Sequence, residues 1–325
     1  MRAGVALRAA VAWLALLGSA AAAPPRPAPA PPPKVDHHQH LLSASMTAPG
    51  QKPIDAKALV AMLDAAGIKR AVLLSNAYRF GSPFLETPFT DEYSRVALEN
   101  DWTMREAAKY PKRLVAFCGF NPLKDYALGE LARCARDPRF GRGIKLQFGN
   151  SGVDVQDPVD LARLRRVFRA ANTARMALVI HVRPGSDRPW GAAQAQTFLD
   201  ELLPAVPDIV VQIAHLGGGG GGELDAAAEQ ALSVFASAFI RKDARVNNLW
   251  FDVSGITGGA NSAARGPVIA QLLRAIGTKH LLYGSDGGDP TDPPAKAALE
   301  SFRRLPLMPI ELRAIEANVA PYLPR

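Results

Sequence analysis

The sequence predicts an α/β fold built on a parallel sheet, with the helices packed outside it. Two observations carry this. Short β-type runs recur at residues 35–39, 71–75, 114–119, 143–147, 177–182, 209–214, 249–253 and 281–284. Helical patterns fill the intervals, near 55–66, 91–109, 125–136, 157–172, 191–203, 223–241, 264–276 and 309–321. Such alternation marks βαβ units and a parallel sheet. Eight strands is also the number that closes a barrel, although alternation alone does not separate a barrel from an open doubly wound sheet.

Taken in order, the chain opens on an export signal over residues 1–22. Arg2 and Arg8 precede the apolar run AAVAWLALLGSA (9–20), and small residues follow up to Ala23. The run is shorter than the roughly 20 residues needed to span a bilayer, and A-x-A choices stand just before Pro24. Cleavage after Ala21 or Ala22 is expected, which makes the mature protein periplasmic or secreted. Residues 23–33 contain PPRPAPAPPP, an extended and semi-rigid linker that cannot build a core. The folded domain is expected over residues 34–325.

The clearest helix is DPVDLARLRRVFRAAN (157–172). Asp157 is placed to cap it, Pro158 takes the first helical position, and Leu161, Leu164, Phe168 and Ala171 make one apolar face. The 325 residues are 48% hydrophobic and 21% charged, a globular composition. Only the N-terminal run is apolar enough to enter a bilayer, which excludes a polytopic membrane protein. The formal charge of +8 drops by two when the signal's arginines leave. The remaining excess is dispersed, for example over Arg163, Arg165, Arg166 and Arg169. No dense basic stripe with interleaved aromatics marks a nucleic-acid partner. Two cysteines, Cys118 and Cys134, are too few for a disulfide framework. Export permits them to pair, and their apolar surroundings equally suit two buried thiols. Oligomeric state is not encoded in these features.

The histidines carry the chemistry. His37, His38 and His40 cluster in VDHHQH, while His181 and His215 each end a predicted strand (LVIH, VQIAH). Polar residues at the ends of apolar strands lie where barrel active sites are built. On a strand, residues i and i+2 share a face, so His38 and His40 can converge on one ion while His37 points away. A catalytic metal needs about three protein groups and an open position. His181, His215 and Asp286 (LLYGSD) supply the remainder. Lys145 ends the fourth run, GIKLQ. Three roles stay open for it: a carbamate bridging two metals, an ammonium binding a substrate carboxylate, or a side chain snorkelling from the barrel mouth.

Arg183, two residues past His181, is a candidate clamp for a substrate carboxylate. Arg79, Tyr78 and Trp190 fall on neighbouring loops and read first as structural. The run Gly217–Gly222 satisfies G-x-G-x-x-G literally, but six glycines match any glycine pattern, and no strand offers an acid at the needed spacing. It is expected to be a loop at the mouth rather than a nucleotide site.

The ordered set Asp36, His38 and His40 (D-x-H-x-H), Lys145, His181, His215 in HLGG, and Asp286 in GSD resembles the amidohydrolase superfamily, in the branch called amidohydrolase family 2. The resemblance spans roughly residues 34–325. It implies a distorted (β/α)8 TIM-like barrel with one or two divalent metals at its C-terminal mouth, with His38, His40, His181 and Asp286 as ligands. It also implies that His215 is a second-metal ligand or a catalytic base, and that Asp286 doubles as the proton shuttle. Zinc is the first expectation, with manganese, iron or cobalt as alternatives. GSDGGDP departs from the pattern in its second glycine and in Asp289.

A metal lowers the pKa of bound water from about 15.7 towards 7, which with Asp286 as proton acceptor gives hydrolysis of an amide, lactone or ester in a small-molecule substrate. A mononuclear decarboxylase or hydratase acting on a carboxylated acid is the second reading. A non-catalytic periplasmic metal or ligand carrier is the third.

Overall fold

In the computed structural model, residues 31–184, 190–220, 224–256, 260–288 and 294–323 are described, with backbone only over 260–264. The expected export signal, the linker up to residue 30, and Asp289 lie outside them.

Eight parallel strands follow one another around a single sheet: β1 (Asp36–Gln39), β2 (Ala71–Leu74), β3 (Leu114–Gly119), β4 (Gly143–Gln147), β5 (Ala177–His181), β6 (Val211–Ile213), β7 (Leu249–Asp252) and β8 (Leu281–Leu282). Runs such as AVLL and ALVIH are apolar at nearly every position because both faces are covered. The segment after β8 closes the ring onto β1. His37 N–H donates to Tyr283 O (2.9 Å), Asp286 N–H to His38 O (2.9 Å) and His40 N–H to Gly287 O (2.8 Å). This is a (β/α)8 barrel, as the resemblance implied.

Between the strands run α1 (Ala56–Ala65), α2 (Glu92–Ala108), α3 (Ala127–Arg136), a one-turn α4 (Phe148–Ser151), α5 (Pro158–Thr173), α6 (Ala192–Thr197), α7 (Ala226–Ile240) and α8 (Ala260–Ile276). Helices α9 (Ala295–Phe302) and α10 (Pro309–Ala317) follow β8. Asp157 accepts from the N–H groups of Val159 and Asp160, the cap expected for α5. The helix expected over 191–203 divides: α6 gives way to a wider turn over Phe198–Leu202 and a tight one over Leu203–Ala205. Pro204 has no N–H to donate, so a regular ladder cannot continue through it. Helices α4 and α9, and the helical turn Ala77–Gly81, had no counterpart in the sequence reading.

Alternation along the strands sorts two cores. Leu73, Cys118, Leu178 and Ile180 join the large cluster between sheet and helices. Val35, Val72, Leu74, Phe117, Val179 and Leu323 form a smaller one inside the barrel. Gly143 belongs to this interior, because a Cβ there would fall within the Phe117 ring. Cys118 and Cys134 are joined in a disulfide that ties β3 to α3, which resolves the alternative the sequence left open. Among the described residues, no helix is long and apolar enough to cross a membrane.

Candidate metal centre

Five of the eight strand ends deliver the predicted groups to the C-terminal mouth, β1 supplying two of them. His38 lies in β1 and His40 just past it, Lys145 in β4, His181 at the end of β5, and His215 and Asp286 in the segments that follow β6 and β8. All of them line a cavity of about 370 Å³, together with Asn76, Tyr78, Arg79, Gln147, Asn150, Gly219 and Gly220.

The geometry is tightest between β1 and the closing segment. His38 Nε2 lies 3.2 Å from His40 Nε2 and 3.2 Å from Asp286 Oδ1, with His40 Nε2 3.6 Å from the same oxygen. The other ring nitrogens are committed. His38 Nδ1 meets Asp252 Oδ2 at 3.0 Å, and His40 Nδ1 meets the carbonyl of Leu74 at 2.7 Å. Both acceptors demand a proton on Nδ1, which leaves two Nε2 lone pairs facing one point. Ligands sharing a tetrahedral ion at about 2.1 Å stand roughly 3.4 Å apart, so these three donors fit a divalent metal. His215 can join them, since donor atoms of His38, His215 and Asp286 lie within 4.8 Å of one another. His181 meets the His215 ring edge-on, with ring centres 5.0 Å apart.

His37 turns away from this cluster, as the strand period predicted. Its ring bonds Tyr283 O and the N–H of Ala320. Asp36 takes the N–H and hydroxyl of Ser285 (3.0 and 2.6 Å), and so anchors the loop that presents Asp286. Burial pushes the Asp36 carboxyl up to about 6.

The electrostatics favour neutral imidazoles. Burial, then the charge of Lys145, lowers His38, and the same causes hold His40 well below the usual histidine range. Burial and His215 do the same to His181. Neutral imidazole is the form that binds a metal. Burial works to raise the Asp286 carboxyl, but His215, His38, His40 and Lys145 together carry it below the carboxylate range. Lys145 is 1% exposed, with Nζ 3.1 Å from His38 Nε2, and burial lowers it to about 8.

Two of these residues hold unusual backbone. His215 (φ 55°) and Asp286 (φ 59°) are left-handed without being glycine, a conformation costing roughly 1–3 kcal/mol that persists only where surroundings over-determine it. For His215 those surroundings are Asp252 Oδ1, which accepts its N–H (3.1 Å), and Ser254, whose carbonyl and hydroxyl hold Nδ1 at 3.0 and 2.9 Å. Strand β6 ends at Ile213, earlier than expected, because of this turn.

Arg183 stands beside Gly219, which lines the cavity, and its guanidinium is engaged outside the metal cluster. It pairs with Asp225, the N-cap of α7, at 2.5 Å. Tyr78 and Arg79, read first as structural, line the cavity, while Trp190 is buried against Phe148 and Phe198. The glycine run passes over the site through its described part, since a Cβ on Gly220 would stand 3.3 Å from Asp286 Oδ2. Asp252, Ser254, Asn76, Gln147 and Asn150 were not anticipated. Asp252 obeyed the rule that found the histidines, a polar residue ending an apolar strand (LWFD).

A family model described as amidohydrolase matches residues 35–317. A comparison with curated proteins finds no match. Among solved structures, the chain is similar to 2,6-dihydroxybenzoate decarboxylase from Rhizobium (19% identity, TM-score 0.60, covering 88% of this chain and 96% of that one). It is also similar to a dihydroxybenzoic acid decarboxylase from a Polaromonas species with bound manganese and 2-nitroresorcinol (17%, 0.59, 88% and 95%). A third is a probable 2-pyrone-4,6-dicarboxylic acid hydrolase from Acinetobacter baumannii with citric acid bound (17%, 0.54, 87% and 95%). At these identities the structural likeness speaks to the fold, while the match over most of the chain settles the family: this protein belongs to the amidohydrolase family.

Proposed function

We propose that the chain binds one divalent ion through His38, His40, His181 and Asp286, and hydrolyses a lactone, ester or amide bond in a small carboxylated molecule. The observation that carries this is the convergence of two imidazole lone pairs and one carboxylate at a strained barrel mouth. Zinc and manganese both suit nitrogen and oxygen donors, and the Polaromonas neighbour holds manganese.

A bound ion supplies Lewis acidity and a water of lowered pKa. Asp286 directs Oδ1 to the histidine pair and Oδ2 towards His215 and Gly220. Oδ2 is therefore the oxygen placed to accept the proton of the attacking water and return it to the leaving group. His215, with Nδ1 held by Ser254, keeps Nε2 towards Gly220 and the cavity, where it takes a proton or a metal bond. Arg79 and Lys145 give the cavity two cations for a substrate carboxylate, and Asn76, Gln147 and Asn150 give it amide donors. This polar lining suits an oxygen-rich acid, in keeping with the dicarboxylate named for the Acinetobacter hydrolase.

Decarboxylation is the second reading. The donors gather at one point, a single-ion arrangement that serves loss of CO2 from a hydroxyaromatic acid equally well, the reaction named for the Rhizobium and Polaromonas neighbours. The test presents manganese- or zinc-loaded protein with a pyrone dicarboxylate and with 2,6-dihydroxybenzoate. Ring opening without CO2 release is expected. CO2 release alone overturns hydrolysis in favour of decarboxylation, and inactivity of both loaded forms against a wider lactone and ester panel overturns it too.

We also infer export. The Arg2/Arg8 and 9–20 pattern supports it, as does a buried disulfide, a feature of oxidising compartments. Cell fractionation with N-terminal sequencing tests it. A chain starting near residue 22 or 23 in the envelope is expected, and an intact Met1 chain in the cytosol overturns it.

A further inference from the structure

Below the cavity, inside the barrel, a line of hydrogen bonds ends on His38. The Tyr322 hydroxyl donates to Gln212 Oε1 at 2.6 Å. Gln212 Nε2 donates to Asp252 Oδ2 at 2.7 Å, and that same oxygen accepts from His38 Nδ1 at 3.0 Å. Gln212 and Asp252 are fully buried. The directions are forced. An ionised carboxylate only accepts, so the Gln212 amide turns its NH2 to Asp252 and its oxygen to the phenol.

A second contact runs beside the first. Ala320 N–H donates to His37 Nε2 at 3.2 Å, so His37 carries its proton on Nδ1, which faces Tyr283 O at 3.0 Å. Leu323 fills the barrel interior with Val35, Val72 and Phe117. The last described residues thus grip β1 one position before His38 and β6 three positions before His215. They lie beyond residue 317, where the family match ends.

We propose that Ala320–Leu323 form an internal plug that positions the His38 imidazole for metal binding, with Gln212 and Tyr322 as its positioning residues. The inference rests on the metal-centre reading above. Asp252 fixes the tautomer and tilt of His38, and it takes the His215 N–H on its other oxygen. Its own orientation depends on the donors around it, and Gln212 is the side-chain amide that pins Oδ2. Removing the phenol strands a buried amide oxygen, which then has reason to turn. A group that orients a metal-binding histidine typically changes affinity 10- to 100-fold when lost.

The experiment titrates Mn²⁺ into the metal-free full chain by calorimetry and records the visible spectrum of the Co²⁺-loaded protein. Wild type is compared with Tyr322→Phe, Gln212→Leu and, as control, Tyr283→Phe, a buried phenol bonded only weakly to Ala295 O. Gln212→Leu is expected to weaken Mn²⁺ binding about ten-fold or more, Tyr322→Phe by a smaller factor, and both to shift the Co²⁺ bands. Tyr283→Phe leaves both readouts unchanged. If Gln212→Leu does not fold, Tyr322→Phe decides. Wild-type affinity and spectrum in the folded variants overturn the plug, as does an equal loss in Tyr283→Phe. A wild type that binds no ion, or that binds as well after His38→Ala, overturns the metal reading instead.

Discussion

Asp286 meets His38 twice: its N–H donates to the His38 carbonyl at 2.9 Å, and its Oδ1 stands 3.2 Å from the His38 Nε2. The first contact closes the barrel and the second assembles the candidate metal centre. Closing the sheet and building the site are therefore one event. The left-handed backbone at Asp286 (φ 59°) lies at this junction, where the chain pairs with β1 and the carboxylate points back to its histidines.

Asp286→Asn separates the two roles. Asparagine tolerates the left-handed region and keeps the backbone bond, so the barrel should still close, and the stability lost at neutral pH should be confined to the missing attraction between the carboxylate and its cationic neighbours. The variant loses the anionic donor and the proton acceptor. Turnover by metal-loaded protein should fall at least 100-fold, a typical loss for a positioned acid–base group. Urea unfolding and a turnover assay check this. Near wild-type turnover would remove Asp286 from the chemistry.

The reach of the sequence follows the range of the interactions. His38 and His40 were legible because a two-residue spacing on one strand fixes their shared face, and His181 and His215 because each ends an apolar run. Asp36 was legible only as a motif letter, since its partner Ser285 is 249 positions away. The ion pair of Arg183 was not legible for the same reason. Its partner Asp225 caps a helix that only the fold brings near. Gln212 left a trace as the polar residue in VQI, a strand buried at all three positions. The phenol that explains it sits in the C-terminal segment, 110 residues on.

The glycine loop makes a prediction at one atom. Gly220 has φ +76° and a Cβ there would stand 3.3 Å from Asp286 Oδ2, whereas Gly50, at φ +82°, has nothing within 4 Å. Gly220→Ala and Gly50→Ala should therefore each cost roughly 1 kcal/mol of stability from left-handed backbone. Only Gly220→Ala should also lower kcat/KM, because its methyl group crowds the carboxylate. Matched loss of stability with unequal loss of activity is the expected pattern. Equal activity in both would place the loop outside the site.

Glu99 gives a pH dependence away from the metal-site histidines. Its Oε2 accepts from Ser43 (2.6 Å) and Ser45 (3.2 Å), and among the described residues Oε1 has no hydrogen-bond partner. Burial raises its carboxyl, against the opposing pull of Ser43, Ser45 and Arg79. The folded chain therefore holds this proton more tightly than the unfolded one, so the contribution to stability is full below the ordinary value of 4.5 and is lost as pH rises through the raised value. Glu99→Gln keeps an acceptor and discards the charge. Its stability relative to wild type should rise from pH 4 to pH 8 in urea unfolding, and a constant difference across that range would exclude Glu99 as the source.

The Cys118–Cys134 bond joins the inner sheet to α3 across 16 positions, both sulfurs being buried. A cross-link closing a loop of about this length restricts the unfolded chain by roughly 3 kcal/mol. The folded chain shields the bond, so reductant acts only once the chain opens. Dithiothreitol should then lower the urea midpoint of wild type while leaving Cys118→Ala/Cys134→Ala unaffected, with the double variant less stable by about 3 kcal/mol. Thiol counting in denaturant gives the independent check. Protein purified from the envelope should titrate no free thiol without reductant. Two free thiols would overturn the pairing and withdraw its support for export.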